Sequence, residues 1–201
     1  MGSKVNNTLA AVIPAAGESS RTGTPKMLLP FGEETMIGRV ISNFRESKAG
    51  EIVVVLGAWK DEILKVVSGY GVKYCINEDF KSGMLSSVIC GINALSSGIE
   101  AALILPGDYP FITGSFIDEF TDAFFESGKG IAIPVAGGRN GHPIILRRKY
   151  FNIVQNINLP GGLRDIIRLS DEDVYKYQTD NHYIHTDIDT IEDYISLTGK
   201  I

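Results

Sequence analysis

The residues of this chain best suited to chemistry fall in three places. The first is AAGESSRTGTPKMLLPFG, residues 15–32, a stretch rich in glycine, serine and threonine with Arg21 and Lys26 toward its far end. Such a loop can turn backbone N–H groups toward phosphate while the two cations neutralise non-bridging oxygens. Neither GxxxxGK[ST] nor GxGxxG can be read in it, so the two commonest phosphate loops are excluded on spacing. The second place is Asp108 in LPGDYP, just past the charge-free run AALIL. A carboxylate at a strand end beside phosphate suits Mg²⁺, which takes one or two carboxylates together with phosphate oxygens and water. The third is HTDIDTIEDY, residues 185–194. There His185, Asp187 and Asp189 alternate and would share one face of an extended strand, a set that could also hold a transition metal. The first two places also have plainer readings: a surface loop with solvated cations, and a turn aspartate making an Asx-type hydrogen bond. Glu192 and Asp193 read as the first turn of a helix, where acidic side chains suit the macrodipole.

The elements that must position these residues alternate along the chain. An apolar run at 9–14 precedes helical spacing at Met36, Ile37, Val40, Ile41 and Phe44; EIVVVLG at 51–57 precedes Trp59, Ile63, Val66, Val67 and Tyr70. The unit recurs with 72–76 and a helix from Met84 to Leu95, then with 101–106 and a helix over Phe116, Ile117, Phe120 and Phe124. Nearly continuous apolar strands joined by helices imply a mostly parallel sheet covered on both faces, a three-layer α/β/α sandwich. GIAIPV and HPIILR, joined by AGGRNG, read as paired strands and make the sheet mixed. Short helices at 149–156 and 161–169, a strand at 174–179 and a closing helix from Ile191 complete the pattern. Residues 1–8 read as a disordered N-terminus and 9–201 as a single domain. In open α/β sheets ligands bind at the carboxyl ends of strands, where the first loop and Asp108 both fall.

Composition narrows the partners. With 44% hydrophobic and 21% charged residues the chain is an ordinary globular protein. A formal net charge of −5 and the lack of basic runs argue against nucleic acid, whereas a few cations in a cleft still suffice for an anionic small molecule. No apolar run approaches the ~20 residues that span a bilayer, and MGSKVNNT lacks an export-type apolar core. A protein neither exported nor membrane-embedded, in a reducing cytoplasm, is expected. Cys75 and Cys90, without CxxC spacing, read as small core hydrophobes.

The loop resembles the signature AAGxSxRMGxxKxLLPxxG of the nucleotidyltransferase superfamily, most closely that of the MobA-like NTP transferases, which cytidylylate or guanylylate the molybdenum cofactor. Ala15, Ala16, Gly17, Ser19, Arg21, Gly23, Lys26, Leu28, Leu29 and Pro30 stand where the motif has them; Thr22 replaces its usual Met and Pro14 its usual Leu. The resemblance implies the Rossmann-like mixed sheet of the nucleotide-diphospho-sugar transferase type. It also implies a nucleotide site at Ala15, Ala16, Gly17, Ser19, Arg21 and Lys26, with Arg21 and Lys26 on phosphate and Lys26 the foremost catalytic residue. GDYP is similar to the family's GDMP, which gives Asp108 catalytic, nucleotide-binding and metal-ligating roles. The 187–194 segment is similar to its DxDTPEDY element, which makes Asp189 the second Mg²⁺ ligand and Asp187 the next choice.

Three further segments carry the resemblance. NEDFKSGMLSSV at 77–88 is similar to the base-recognising stretch, making Asn77, Gly83 and Ser87 binding candidates; Ser86 and Ser87 read alone are helix caps. Gly141, His142 and Pro143 match the GHP of cytidylyl-type members, whose neighbourhood faces the acceptor, although a His beside Pro is otherwise a turn residue. LPGGLRD partly matches GDxGAR and leaves Arg164 for an acceptor phosphate. The expected reaction takes CTP, with GTP as the other possibility, and a phosphorylated small molecule such as molybdopterin, with Mg²⁺ as cofactor. An anionic phosphomonoester needs alignment and charge neutralisation more than a strong base, so the lack of a Ser-His-Asp or Cys-His constellation fits. A pyrophosphorylase for a sugar or alcohol phosphate, and a non-catalytic nucleotide-binding regulator, are the competing readings.

Overall fold

The structure, a computed structural model, describes residues 6–19, 24–156 and 160–199. In chain order the elements are β1 (Asn6–Ala15), β2 (Pro30–Phe31), β3 (Glu34–Thr35), α1 (Met36–Arg45), β4 (Ala49–Leu56), α2 (Lys60–Val67), β5 (Lys73–Ile76), α3 (Met84–Asn93), β6 (Ala101–Ile104) and α4 (Gly114–Ser127). They continue with β7 (Ile131–Ala136), β8 (Arg139–Asn140), β9 (Ile144–Arg147), α5 (Phe151–Asn156), α6 (Leu163–Leu169), β10 (Val174–Gln178) and α7 (Ile191–Thr198). β1 begins at Asn6, ahead of the apolar run that marks it in the sequence and inside the stretch read as disordered.

The main sheet has the order β10-β7-β9-β6-β1-β4-β5, with β8 paired to β7. β5, β4, β1 and β6 run parallel, and β7 with β10 likewise. β9 is antiparallel to both β6 and β7, which makes the sheet mixed, as the paired runs around AGGRNG imply. Alternation along β1 shows why both faces are covered. Leu9, Ala11 and Ile13 join a core with Ile37, Val40 and Phe44 of α1, Ile63 of α2 and Phe116, Phe120 and Phe124 of α4. Val12 points the other way, among Val88 and Ile92 of α3, Phe151 and Val154 of α5 and Ile166 of α6.

Local signals set the helix ends. Thr35 and Thr113 accept N-cap hydrogen bonds from Gly38 and Phe116, and Thr190 with Asp193 forms a capping box that starts α7. The first-turn reading of Glu192 and Asp193 therefore holds, with Asp193 also bonding the cap. Among the described residues no helix is long and apolar enough to cross a membrane.

Two expectations need correcting. The segment carrying His185, Asp187 and Asp189 is no strand: 182–185 is a 3₁₀ turn and the residues after it are irregular. Instead of a ladder it makes single main-chain bonds to the ends of different loops, with Ile184 O accepting from His142 N and Ile188 N donating to Asp108 O. The cysteines are half-buried, packed against the α3-side core rather than inside it, and their sulfurs lie 3.1 Å apart.

Candidate functional site

Parallel pairing brings the C-terminal ends of β1, β4 and β6 to one edge, and each continues into a loop that contributes to the site. From β6 the chain runs through Leu105 and Gly107, whose N–H groups bond to the Val12 and Pro14 carbonyls of β1, and so delivers Asp108 beside the start of the 15–32 loop. Gly107 sits where a Cβ would lie 2.9 Å from both Ile37 Cδ1 and Met27 Sδ, so a larger residue would have to displace the ends of those two side chains.

Lys26 opens a 3₁₀ turn whose Met27 is buried and anchors it. Its ammonium donates to Asp108 Oδ2 at 2.7 Å and to Asp189 Oδ1 at 2.8 Å, joining groups far apart in sequence. Side-chain exposures of 12%, 13% and 31% for Lys26, Asp108 and Asp189 make this a sheltered triad, not a surface ion pair. Burial pushes the lysine down, but the Asp108 and Asp189 carboxylates outweigh it and hold Lys26 above the usual lysine range.

Asp187 joins this group: Asp108, Asp187 and Asp189 each offer an oxygen within 4.8 Å of the others. Burial, followed by repulsion from Asp108 and Asp189, holds the Asp187 carboxyl above the usual range, with Lys26 opposing. The cluster is thus over-supplied with negative charge. Asp108 Oδ1 is buried and has no hydrogen-bond partner. Hard oxygen donors, a charge excess and an orphaned carboxylate oxygen together fit a hard divalent cation. His185 stands apart, its Nε2 3.1 Å from the Arg139 carbonyl, so the alternating transition-metal set seen in the sequence does not assemble.

The loop itself is tied down at several points. Ala15 and Ala16 are buried and Gly17 is exposed. Ser19 takes a positive φ of 52°, and its Oγ accepts from Lys26 N at 3.3 Å, closing the loop on itself. Ala16 O accepts from Ala58 N, and Trp59 Nε1 donates to Glu18 O at 2.9 Å. Gly57 permits this approach: a Cβ there would lie 2.5 Å from Ala16 O and 2.6 Å from Ala16 Cβ. Sequence reading missed Gly57 and took Trp59 for a helix-face residue. A glycine closing an apolar strand was the available signal, but its neighbour came from another strand. Arg21 and Gly23 lie outside the described residues.

At the end of β5, Asn77 is buried with its amide fully engaged. Nδ2 donates to Ser86 Oγ at 2.8 Å and Ser87 Oγ at 3.1 Å, and Oδ1 accepts from Asp79 N at 3.0 Å. In this state Asn77 is a strut that shapes the 77–87 segment. Ser87 is buried, and Gly83 adopts φ 97° at the start of α3, a conformation that favours glycine.

The GHP element is a break in a strand. β8 and β9 both pair with β7 on the same edge, but the register jumps between them, from Val135↔Asn140 to Ala132↔Ile145. Gly141, His142 and Pro143 bulge out where β9 meets the end of β6. The His142 ring consequently packs on Tyr109, next to Asp108, with ring centroids 5.0 Å apart. Burial pushes His142 down to about 4, with Asp187 opposing and Arg164 assisting, and its Nδ1 has no partner. Burial, with the Asp187, Asp108 and Asp189 charges, pushes the Tyr109 phenol up, and Arg164 opposes. Arg164, exposed near the start of α6, is therefore felt by the same group of residues.

Residues 11–177 match the sequence profile of the MobA-like NTP transferase domain. The chain is similar to the molybdenum cofactor cytidylyltransferase of Escherichia coli (strain K12), 28% identical over 193 residues that cover 94% of this chain and 95% of that protein. It superposes on the Rv0371c homolog from Mycobacterium sp. strain JC1 with a TM-score of 0.85 at 28% identity, over 97% of each chain. Rv0371c of Mycobacterium tuberculosis H37Rv, solved as a complex with manganese, aligns with a TM-score of 0.81 at 20% identity, over 96% of this chain and all of that one; this likeness is one of fold.

Proposed function

The chain belongs to the MobA-like NTP transferase family, and we propose that it is a Mg²⁺-dependent cytidylyltransferase that moves CMP from CTP onto the phosphate of a molybdopterin-type acceptor. The observation that carries this reading is the meeting of Lys26, Asp108, Asp187 and Asp189 at the edge where the 15–32 loop leaves β1. Such a group has both signs of charge needed to handle a triphosphate. The cytidylyl choice and the pterin acceptor are supported by the GHP bulge beside Asp108 and by similarity to the Escherichia coli enzyme. A cytoplasmic site of action is part of the proposal.

In this mechanism an acceptor phosphate oxygen attacks the α-phosphorus, the bond to the bridging oxygen of the β-phosphate breaks, and pyrophosphate leaves with the electron pair. Lys26 places its charge where negative charge develops on the α-phosphoryl oxygens and the leaving group, so it stabilises the transition state more than the ground state. Arg21 adds a second phosphate contact, and the backbone around Gly17 to Ser19 surrounds the triphosphate. Asp108, with Asp189 and Asp187, would hold Mg²⁺, which neutralises phosphate charge when bound. Asn77, Gly83 and Ser87 shape the base side. His142, neutral near pH 7 and set against Tyr109, lines the acceptor side with Arg164.

The test pairs CTP and GTP in turn with molybdopterin, and with sugar and alcohol phosphates, and measures pyrophosphate release. Turnover with CTP and molybdopterin is expected. Release only with another phosphomonoester would overturn the acceptor assignment, and no release from any pairing would overturn the enzyme reading.

A further inference from the structure

Cys75 and Cys90 are absent from the proposed chemistry, yet they are placed at either end of the base-side segment. Cys75 is on β5, two residues before Asn77, and Cys90 is on α3, one turn after Ser86 and Ser87. The Cys90 thiol donates to Cys75 Sγ at 3.1 Å, and both residues are half-buried. A surface cleft of about 380 Å³ reaches Cys90, lined also by Asn77, Asp79, Ser86, Ile89 and Asn93. Cys90 thus faces a cleft that a small oxidant can enter, and the same cleft touches Asn77 and Ser86.

The geometry points to a reversible redox modification site in which Cys75 and Cys90 form a disulfide that restrains the base-side segment. The oxidant class is a peroxide. The Cys90 thiolate attacks one peroxide oxygen, the O–O bond breaks, and a first water leaves as Cys90 becomes a sulfenic acid. Cys75 sulfur then attacks the Cys90 sulfur, the S–S bond forms, and the second water departs with the Cys75 proton. Two thiols lose two electrons and two protons, and the peroxide is reduced to two waters. The order follows access: Cys90 lines the cleft, whereas burial and the neighbouring Cys90 push the Cys75 thiol up.

A disulfide would replace the present thiol contact by a covalent tie between β5 and α3. The Asn77 amide bonds to Ser86 and Ser87 span the same two elements. Oxidation should loosen or re-aim that network and weaken nucleotide binding. This last step rests on the nucleotidyltransferase reading; formation of the bond does not.

Purified full-length protein is treated with hydrogen peroxide and followed by intact mass and free-thiol titration, then assayed for CTP KM before and after dithiothreitol. The expected result is loss of two hydrogens in the parent but in neither Cys75→Ser nor Cys90→Ser. KM for CTP should rise by about threefold or more, with recovery on reduction. The site is overturned if both thiols survive peroxide, or if they are lost only to sulfinic acid or to bonds between molecules. The regulatory consequence is overturned if the intramolecular disulfide forms and KM is unchanged. If the reduced parent turns over no nucleotide at all, the enzyme reading fails, and the mass measurement still decides the disulfide.

Discussion

Lys26→Met is the substitution whose effects can be worked furthest. It keeps the length and apolar stem of the side chain and deletes the ammonium that bonds Asp108 at 2.7 Å and Asp189 at 2.8 Å. Removing one partner of a fully buried ion pair costs about 3–5 kcal/mol, and at a fully exposed site about 0–1 kcal/mol. The triad lies between these limits, since Lys26 and Asp108 are sheltered and Asp189, the most open of the three, is 31% exposed. A loss of about 2 kcal/mol of stability at pH 7.5 is expected, read as a lower urea midpoint with an unchanged slope. The sign with pH is a further check. Without the ammonium, Asp187 loses the charge that opposes its raised carboxyl, and repulsion from Asp108 and Asp189 holds it further up. Protonation then favours the folded variant, so the gap between variant and parent should narrow from pH 7.5 to pH 5. On activity, loss of one positioned charge-stabilising group costs on the order of 10²–10³ in kcat, about 3–4 kcal/mol. Because that interaction grows in the transition state, kcat and kcat/KM should fall together. Pyrophosphate release under saturating CTP measures it. Turnover within about threefold of the parent, or a stability gap that widens on acidification, would refute the reasoning.

The remaining expectations concern the metal, the loop and acid. Because the ammonium engages two of the clustered oxygens, Mn²⁺ or Mg²⁺ should raise the melting temperature more in Lys26→Met than in the parent, by linkage, and not at all in Asp108→Asn; equal shifts in all three proteins by differential scanning fluorimetry would count against the carboxylate site. Gly57→Ala places a Cβ 2.5 Å from Ala16 O, and should cost about 1–3 kcal/mol and raise KM for CTP through displacement of the loop; an unaltered urea midpoint and KM would show that the contact is not limiting. His142 has a folded-state pKa of about 4, below its ordinary value of 6.5. Above pH 6.5 it makes no pH-dependent contribution. Between 6.5 and 4 the unfolded chain takes up a proton that the folded one refuses, so stability falls with pH, by about 2 kcal/mol at pH 5. In His142→Asn that component should vanish, as urea unfolding at pH 7.5 and pH 5 would show.

Much of this protein is legible in one dimension because its strands are apolar on both faces. Runs such as VVVL can persist only between two layers of helices, so the alternation of such runs with helical spacing leaves few architectures open. The ends of helices are local as well: Thr190 followed by Asp193 makes the box that starts α7 wherever the chain is placed. The 15–32 loop and Asp108 stand out from residue type and neighbourhood, since phosphate and hard cations call for few kinds of group, whereas the Mg²⁺ roles expected of Asp189 and Asp187 come from the resemblance to the family's DxDTPEDY element.

What residue type cannot give is relative position. Lys26 and Asp189 are separated by most of the chain, and their 2.8 Å contact exists because β6 pairs with β1 and the 182–189 segment folds back to bond Asp108 O. Alternation suggested that His185 would face the same way as the aspartates. A 3₁₀ turn and the pull of two separate main-chain partners put it elsewhere and brought Asp187 in. The sequence by itself determined the architecture and the inventory of charged and small residues, because helix and strand periods and turn chemistry act over a few neighbours. Only tertiary structure decided which carboxylates share an ammonium, why Gly57 must be small, and that two separated thiols touch. Those depend on strand order and register, which no local interaction encodes.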